Sequence, residues 1–215
     1  MLGAARTGAW AKSGSPTPAA YGGLRFTAEA DNSTVQLTAV GSAPAVTLVK
    51  SFDGVNWEDY AVGEVIELPS IGKYVYLAVG ESGNETFGSS ESNYHKFVIN
   101  GLVAASGDIT SLISFDLEHT TLANSCYNGM FYGCTGLTSA PELPATTLAN
   151  SCYNRMFYGC VQLSLIKVHF TVWGSQTTRW ISNVSPTGTF CKPRVLTEEY
   201  GDGKIPTGWT VVDID

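Results

Sequence analysis

A close internal repeat constrains the fold of this chain more than any other feature of its sequence. Segments 120–138 and 146–164 read TTLANSCYNGMFYGCTGLT and TTLANSCYNRMFYGCVQLS, with a period of 26 and 15 of 19 positions identical. A fixed period of about 20–29 residues with regularly placed leucines is typical of a leucine-rich solenoid. Because a single unit cannot bury its own apolar residues, neighbouring units must stack. We therefore predict leucine-rich-repeat units over residues 105–170.

Each unit is predicted to combine one extended segment with one short helical turn. The extended segment is 137–144, and the helical turns are 128–134 and 154–160. Two units are fewer than the about three that a solenoid usually needs, so degenerate flanking segments are expected to add layers. The residues predicted to form the repeat core are Leu122, Cys126, Met130, Phe131, Cys134, Leu137, Leu148, Cys152, Met156, Phe157, Cys160 and Leu163.

The segments on either side of the repeats differ from them in composition. Residues 24–104 contain about six short stretches that alternate apolar and polar residues and are separated by turn residues, which favours an Ig-like β-sandwich. Residues 171–215 concentrate tryptophans and are expected to cap the open end of the solenoid. The predicted fold class is thus mainly β with short helices, an N-terminal Ig-like β-sandwich followed by a short, capped leucine-rich-repeat solenoid.

Residues 1–23 are rich in Gly, Ala, Ser and Pro and are predicted to be an extended docking arm. Arg6, Trp10 and Tyr21 are the residues expected to contact a partner, since large aromatic anchors often dominate such contacts. The alternative is a flexible tail.

The four repeat cysteines could suggest a metal site, but their spacing argues against zinc. Cys126 and Cys134 have seven residues between them, as do Cys152 and Cys160, whereas the nearer ligands of zinc sites are usually about 2–4 residues apart. Small buried apolar side chains explain them better, and disulfides between stacked units remain an alternative. Cys191 is either structural or, beside Lys192 and Arg194, a reactive thiol.

Catalytic motifs are not recognisable in this sequence. His95, His119 and His169 fit no metal or catalytic spacing, and the Gly-x-Ser-x-Gly, Walker and His-Glu-x-x-His patterns do not occur. Residues 51–57 faintly resemble the Asp-box hairpin of sialidase-type propellers, which would favour a glycan hydrolase, but an ordinary Asp-Gly turn is the simpler interpretation. We therefore expect no enzyme activity, no cofactor and no bound metal.

Four tyrosines recur at the repeat period and are the candidate ligand-binding residues: Tyr127, Tyr132, Tyr153 and Tyr158. Such rows of rings can stack on sugars or anchor a protein partner. The alternative is that one row belongs to the core and the other is half-buried.

Charge and hydropathy limit the partners further. The net charge of −7 is unsuited to neutralising nucleic-acid phosphates. No apolar run approaches the roughly 20 residues of a membrane-spanning helix. Segment 1–11 also lacks the unbroken apolar stretch of an export signal, which favours a protein released by lysis over one secreted to a cell surface.

The segment MFYGCTGLTS, from Met130 to Ser139, resembles the BspA-like leucine-rich repeats of gut Bacteroidales and their bacteriophages, although Met130 stands where that pattern has Ala. Segments 180–190 and 200–211 are similar to the end of such arrays. Residues 5–14 resemble the opening of phage structural proteins.

This resemblance implies a non-enzymatic bacteriophage virion surface protein, such as a fibre, decoration or tail-associated subunit. It would dock on capsid or tail proteins through residues 1–23, form homo-oligomers and contact a host-surface glycan or protein. The alternative that it implies is a bacterial cell-surface BspA-like adhesin.

Overall fold

The described part of the chain is built almost entirely from β-strands and turns. The computed structural model describes residues 21–117 and 121–214. Within these ranges helix is limited to two 3-10 segments, Ile109–Leu112 and Ser175–Thr177. The strands are β1 Arg25–Ala28, β2 Ser33–Val40, β3 Leu48–Ser51, β4 Glu58–Tyr60, β5 Val65–Leu68, β6 Tyr74–Val79, β7 Gly88–Ser90, β8 Asn93–Asn100, β9 Val103–Ser106, β10 Leu137–Leu143, β11 Leu165–Val168, β12 Thr189–Pro193 and β13 Thr210–Ile214.

Two sheets pack against each other in the N-terminal part. The smaller sheet has the antiparallel order β5-β2-β8-β7. In β2, Val35 and Leu37 are buried while their neighbours are partly exposed, which is the alternation expected of a strand with one face in the core. Across the two sheets, the rings of Phe26 in β1 and Phe97 in β8 lie 4.8 Å apart. The apolar face of each sheet therefore contributes to a shared core.

The larger sheet has nine strands and changes character at β9. Strands β4, β3, β6, β1 and β9 pair antiparallel, whereas β9 to β13 pair parallel in chain order. Val103 of β9 pairs with Ala28 on one side and with Leu137 on the other. One continuous cluster of buried apolar residues consequently extends from Leu24 to Trp209.

The parallel strands form one wall of a solenoid-like region of about three turns. Ser139 of β10 pairs with Leu165 of β11, Leu165 pairs with Thr189 of β12, and Thr189 pairs with Thr210 of β13. The spacing between paired positions is thus 26, then 24, then 21 residues. The repeat predicted from the sequence stacks as expected, and the later turns are shorter.

The opposite wall is not helical, so the predicted helical turns at 128–134 and 154–160 are a wrong prediction. Both ranges form hydrogen-bonded turns without helix. Ser125, Gly129 and Gly133 have φ angles of 56°, 62° and 74°. A left-handed residue at every fourth position interrupts a right-handed helix each time it begins.

Backbone hydrogen bonds join successive turns on this wall. The Phe131 N–H donates to the Met156 carbonyl at 2.8 Å. In the same register, the Phe157 N–H donates to the Trp180 carbonyl at 2.7 Å. We call these hydrogen bonds between successive turns the ladder. Residues 175–183 therefore form its third turn, in which Trp180 takes the place that Met156 has in the second.

Candidate ligand-binding face

Two of the four candidate tyrosines lie in the core. Tyr127 and Tyr153 are both 0% exposed, and their rings stack with centroids 6.3 Å apart. Burial raises the pKa of both phenols well above the ordinary value. This corrects the expectation that they bind a ligand, because their side chains point inward from the turn and no solvent reaches them.

The other two tyrosines form a parallel stack at the surface. Tyr132 and Tyr158 are half-buried, and their ring centroids are 5.1 Å apart with an interplanar angle of 6°. The bond from the Gly133 N–H to the Tyr158 carbonyl, 2.8 Å long, ties the two turns together beside the rings. The ladder therefore holds both rings on rigid backbone.

The row of rings ends after Tyr158. In the third turn the Gly159 N–H donates to the Ser182 carbonyl at 2.8 Å, which makes Ser182 the counterpart of Tyr132 and Tyr158. A serine has no ring to stack. The face of Tyr158 that Tyr132 leaves free thus has no aromatic neighbour from the third turn.

Two cations flank the stack. The Lys96 Nζ atom, on β8, lies 5.8 Å from the Tyr132 ring centroid, and the Arg155 Cζ atom lies 5.9 Å from it. Both distances are within the range of cation–π attraction. The Phe97 N–H donates to the Met130 carbonyl at 2.7 Å, so β8 is bonded directly to the first turn and fixes where Lys96 stands.

Arg155 occupies an unfavourable backbone conformation. Its φ is 53°, and its counterpart in the first repeat is Gly129, with φ of 62°. A non-glycine residue in this region typically costs on the order of 1–2 kcal/mol. At position 129 glycine is also required by space, since a Cβ there would lie 2.6 Å from the ring of Tyr94.

The β7–β8 turn holds the Arg155 side chain in place. Arg155 Nη2 donates to the Glu91 carbonyl at 2.7 Å and lies 3.6 Å from the Glu91 carboxylate. Asn154 Nδ2 donates to the same carboxylate at 2.9 Å. We call the group Tyr132, Tyr158, Lys96 and Arg155 the tyrosine ledge. It offers aromatic surface and positive charge, which suit binding.

The sequence pointed to the two tyrosines of the ledge but not to its cations. Arg155 could have been noticed, because it replaces Gly129 at one of the four positions where the repeats differ. Lys96 carries no such signal, since it lies in a different part of the chain and reaches Tyr132 only through the fold.

Of the predicted docking residues, the structure describes one. Arg6 and Trp10 lie outside the described residues. Tyr21 is 8% exposed and packs edge-on against Trp57 at 5.1 Å and Tyr76 at 5.6 Å. Its ring is therefore occupied by its own chain rather than presented to a partner, and burial raises the pKa of its phenol.

The repeat cysteines are buried free thiols. Burial raises the pKa of Cys126, Cys134 and Cys152 to about 12, which keeps them protonated at neutral pH. The Cys160 thiol donates to the Phe131 carbonyl at 3.0 Å. Among the other positions assigned to the repeat core, Leu148 is half-buried, and these are buried: Leu122, Met130, Phe131, Leu137, Met156, Phe157 and Leu163.

Cys191 does not have the surroundings of a reactive thiol. Partial burial raises its pKa, although Lys167 opposes this shift. Its neighbour Lys192 is 2% exposed, and Lys192 Nζ lies 2.9 Å from the Asp213 carboxylate. The lysine is thus turned to the opposite face of β12 from Cys191.

The Asp-box-like segment is a self-contained turn. One oxygen of the Asp53 carboxylate accepts from the N–H groups of Val55 and Asn56, both at 2.8 Å, and from the Ser51 hydroxyl. These bonds lower the pKa of Asp53 to about 2. The hydrogen bonds that Asp53 makes within its own loop account for its position and its ionised state.

The described residues contain no group of three or more His, Cys, Asp and Glu side chains placed to hold a metal ion. Over the same residues, no helix has the length and apolar character needed to cross a membrane. No protein-family model matches the chain, and neither a curated protein nor a solved structure matches it.

Proposed function

We propose that this chain is a non-enzymatic surface protein of a bacteriophage virion that binds a host-surface glycan through its tyrosine ledge. The observation that carries the proposal is the parallel pair Tyr132 and Tyr158, flanked by Lys96 and Arg155. Aromatic side chains combine a large apolar face with a polar tip, and this suits the mixed surface of a sugar ring.

The placement of the ledge supports a binding role. Both rings stand on a hydrogen-bonded ladder, and sites built on rigid elements hold their geometry better than sites on free loops. Contacts of the Arg155 side chain with Glu91 hold its guanidinium near Tyr132.

The finer architecture is part of the same proposal. We assign the four-stranded sheet, together with the antiparallel strands of the larger sheet, to an Ig-like β-sandwich. The stacked turns are assigned to BspA-like leucine-rich repeats. The resemblance of Met130 to Ser139 to that family supports the second assignment. It also supports the alternative function, a bacterial cell-surface adhesin, for which the ledge would serve equally well.

The glycan role is tested by binding of the purified chain to an array of host-surface glycans. Tyr158→Ala removes one ring and should abolish binding while the circular dichroism spectrum is retained. Tyr200→Ala is the matched control, because Tyr200 lies in the C-terminal segment and its side chain is 50% exposed. Equal binding by wild type and Tyr158→Ala would refute the ledge as the binding site.

The virion location is tested by immunodetection with an antibody against residues 105–215, on gradient-purified phage particles and on intact cells of the same culture. Label on particles alone supports the virion protein, and label on cells alone supports the adhesin. Trp10→Ala should prevent incorporation into particles. Normal incorporation of that variant would rule out docking through Trp10.

A further inference from the structure

The charges around the tyrosine ledge define the class of glycan more narrowly. We infer that the ligand is an acidic glycan, whose carboxylate or sulfate group pairs with Lys96 while a sugar ring contacts the tyrosines. This inference rests on the proposed glycan-binding function and names the ligand of that same site.

Lys96 differs from the other buried or half-buried lysines that the structure describes. Four other lysines that are buried or half-buried form ion pairs with carboxylates: Lys50, Lys167, Lys192 and Lys204. Lys96 is half-buried as well, yet its ammonium group makes neither an ion pair nor a hydrogen bond with any residue that the structure describes. The chain has 19 acidic and only 12 basic residues, so carboxylates are plentiful.

The ammonium group of Lys96 still meets water, although the half-buried side chain gives up part of its hydration. The ring of Tyr132 compensates for some of this loss by cation–π attraction. An anion on the ligand would supply the remaining partner. The position of Lys96 next to the stacked rings therefore matches a ligand that carries both an apolar ring face and a negative charge.

Arg155 has a different part in the ledge. Its guanidinium is bound to Glu91, so its charge is already largely matched within the chain. Lys96 has no such partner among the described residues, so it is the cation available to an anionic group. We therefore assign the recognition of charge to Lys96 and the positioning of the ledge surface to Arg155.

The test uses the full chain and a panel of immobilised oligosaccharides. The acidic members carry galacturonate, glucuronate, sialic acid or sulfated galactose. Each is printed beside a neutral counterpart, which is the methyl ester for a carboxylate and the desulfated sugar for a sulfate. The carboxylate and sulfate arms distinguish the two sources of negative charge.

The wild-type chain should bind at least one acidic member about tenfold more tightly than its neutral counterpart, and 1 M salt should reduce this preference. Lys96→Met keeps most of the apolar stem and removes the charge, so the preference should disappear. Lys73→Met, at an exposed lysine away from the ledge, is the matched control and should bind like wild type.

Different outcomes of this experiment contradict the acidic ligand, the role of Lys96 and the glycan-binding function. Equal binding of acidic and neutral members, lost in Tyr158→Ala, would overturn the acidic ligand and leave the glycan-binding proposal standing. A preference for acid that persists in Lys96→Met would overturn the role of Lys96. Binding to no member of the panel or of the host-glycan array would overturn both proposals.

Discussion

The two repeats are nearly the same in sequence but have different neighbours. The first repeat lies against β8, where Phe131 stacks on Phe97 at 5.2 Å. The second lies between the first repeat and the third turn, where Phe157 contacts Trp180 at 6.1 Å. The sequences agree at 15 of 19 positions. A difference in stability between equivalent variants of the two repeats would therefore come from their neighbours in the fold.

The largest change in stability is expected at the equivalent phenylalanines of the two repeats. Phe131→Ala and Phe157→Ala should each lower the free energy of unfolding by about 3–5 kcal/mol, because each removes a fully buried ring from the same continuous core. Urea denaturation followed by fluorescence measures both. Both variants should unfold in one cooperative transition, and a mild loss in Phe157→Ala alone would mean that the second repeat is packed more loosely than the first.

The position shared by Gly129 and Arg155 gives a smaller, asymmetric effect. Gly129→Arg should cost about 1–3 kcal/mol, since the new side chain would meet the ring of Tyr94. Arg155→Gly should change stability by less than about 1–2 kcal/mol, because relief of the left-handed conformation offsets the lost contacts with Glu91.

Thermal unfolding of these two variants measures the asymmetry. A third variant, Gly129→Ala, has the strain of a positive φ and the contact of its Cβ with the Tyr94 ring, but not the rest of the arginine side chain. The difference between Gly129→Ala and Gly129→Arg therefore measures the contribution of the longer side chain. If Gly129→Arg were as stable as wild type, the contact between Tyr94 and the first repeat would not determine which residue stands there.

The smallest effect is expected at the buried tyrosines. The Tyr127 hydroxyl donates to the Ile109 carbonyl at 3.3 Å, so Tyr127→Phe should cost about 0.5–1.5 kcal/mol. The Tyr153 hydroxyl is buried without a hydrogen-bond partner among the described residues. Tyr153→Phe should therefore be neutral or slightly stabilising, since it removes an unsatisfied polar group.

Chemical denaturation of Tyr127→Phe and Tyr153→Phe, at matched protein concentration, measures this difference in the free energy of unfolding. Each variant is the control of the other, because the same atom is removed from equivalent positions of two repeats. An equal loss in both would contradict the assignment of a hydrogen bond to Tyr127 alone.

Several features of the site follow from the repeat period. Equivalent residues of stacked units must lie above one another, so the pairing of Tyr132 with Tyr158 is implied by their spacing of 26 residues. Which tyrosine row faces solvent is not implied, because that depends on the direction of each side chain in the turn. Periodicity alone therefore left Tyr127 and Tyr153 as candidates until their burial was known.

The third turn has a weaker signal in the sequence than the first two. Trp180 stands where Met130 and Met156 stand, but the spacing has changed from 26 to 24 residues and the surrounding letters differ. The segments 128–134 and 154–160 are predicted as helical turns, but the structure has left-handed residues there, such as Gly129 and Gly133, which interrupt a helix. The hydrogen bonds that replace those of a helix run to the next turn and join residues far apart in the chain.

The sequence by itself determined that the protein is mainly β, that its repeats stack, and that aromatic residues line up along the stack, because these depend on short-range alternation and on a fixed period. The tertiary structure alone decided that β9 joins the antiparallel and parallel strands in one sheet, and that Lys96 reaches Tyr132. The physical reason is that strand pairing and charge–ring contacts are made across space, between segments whose separation along the chain carries no periodic signal.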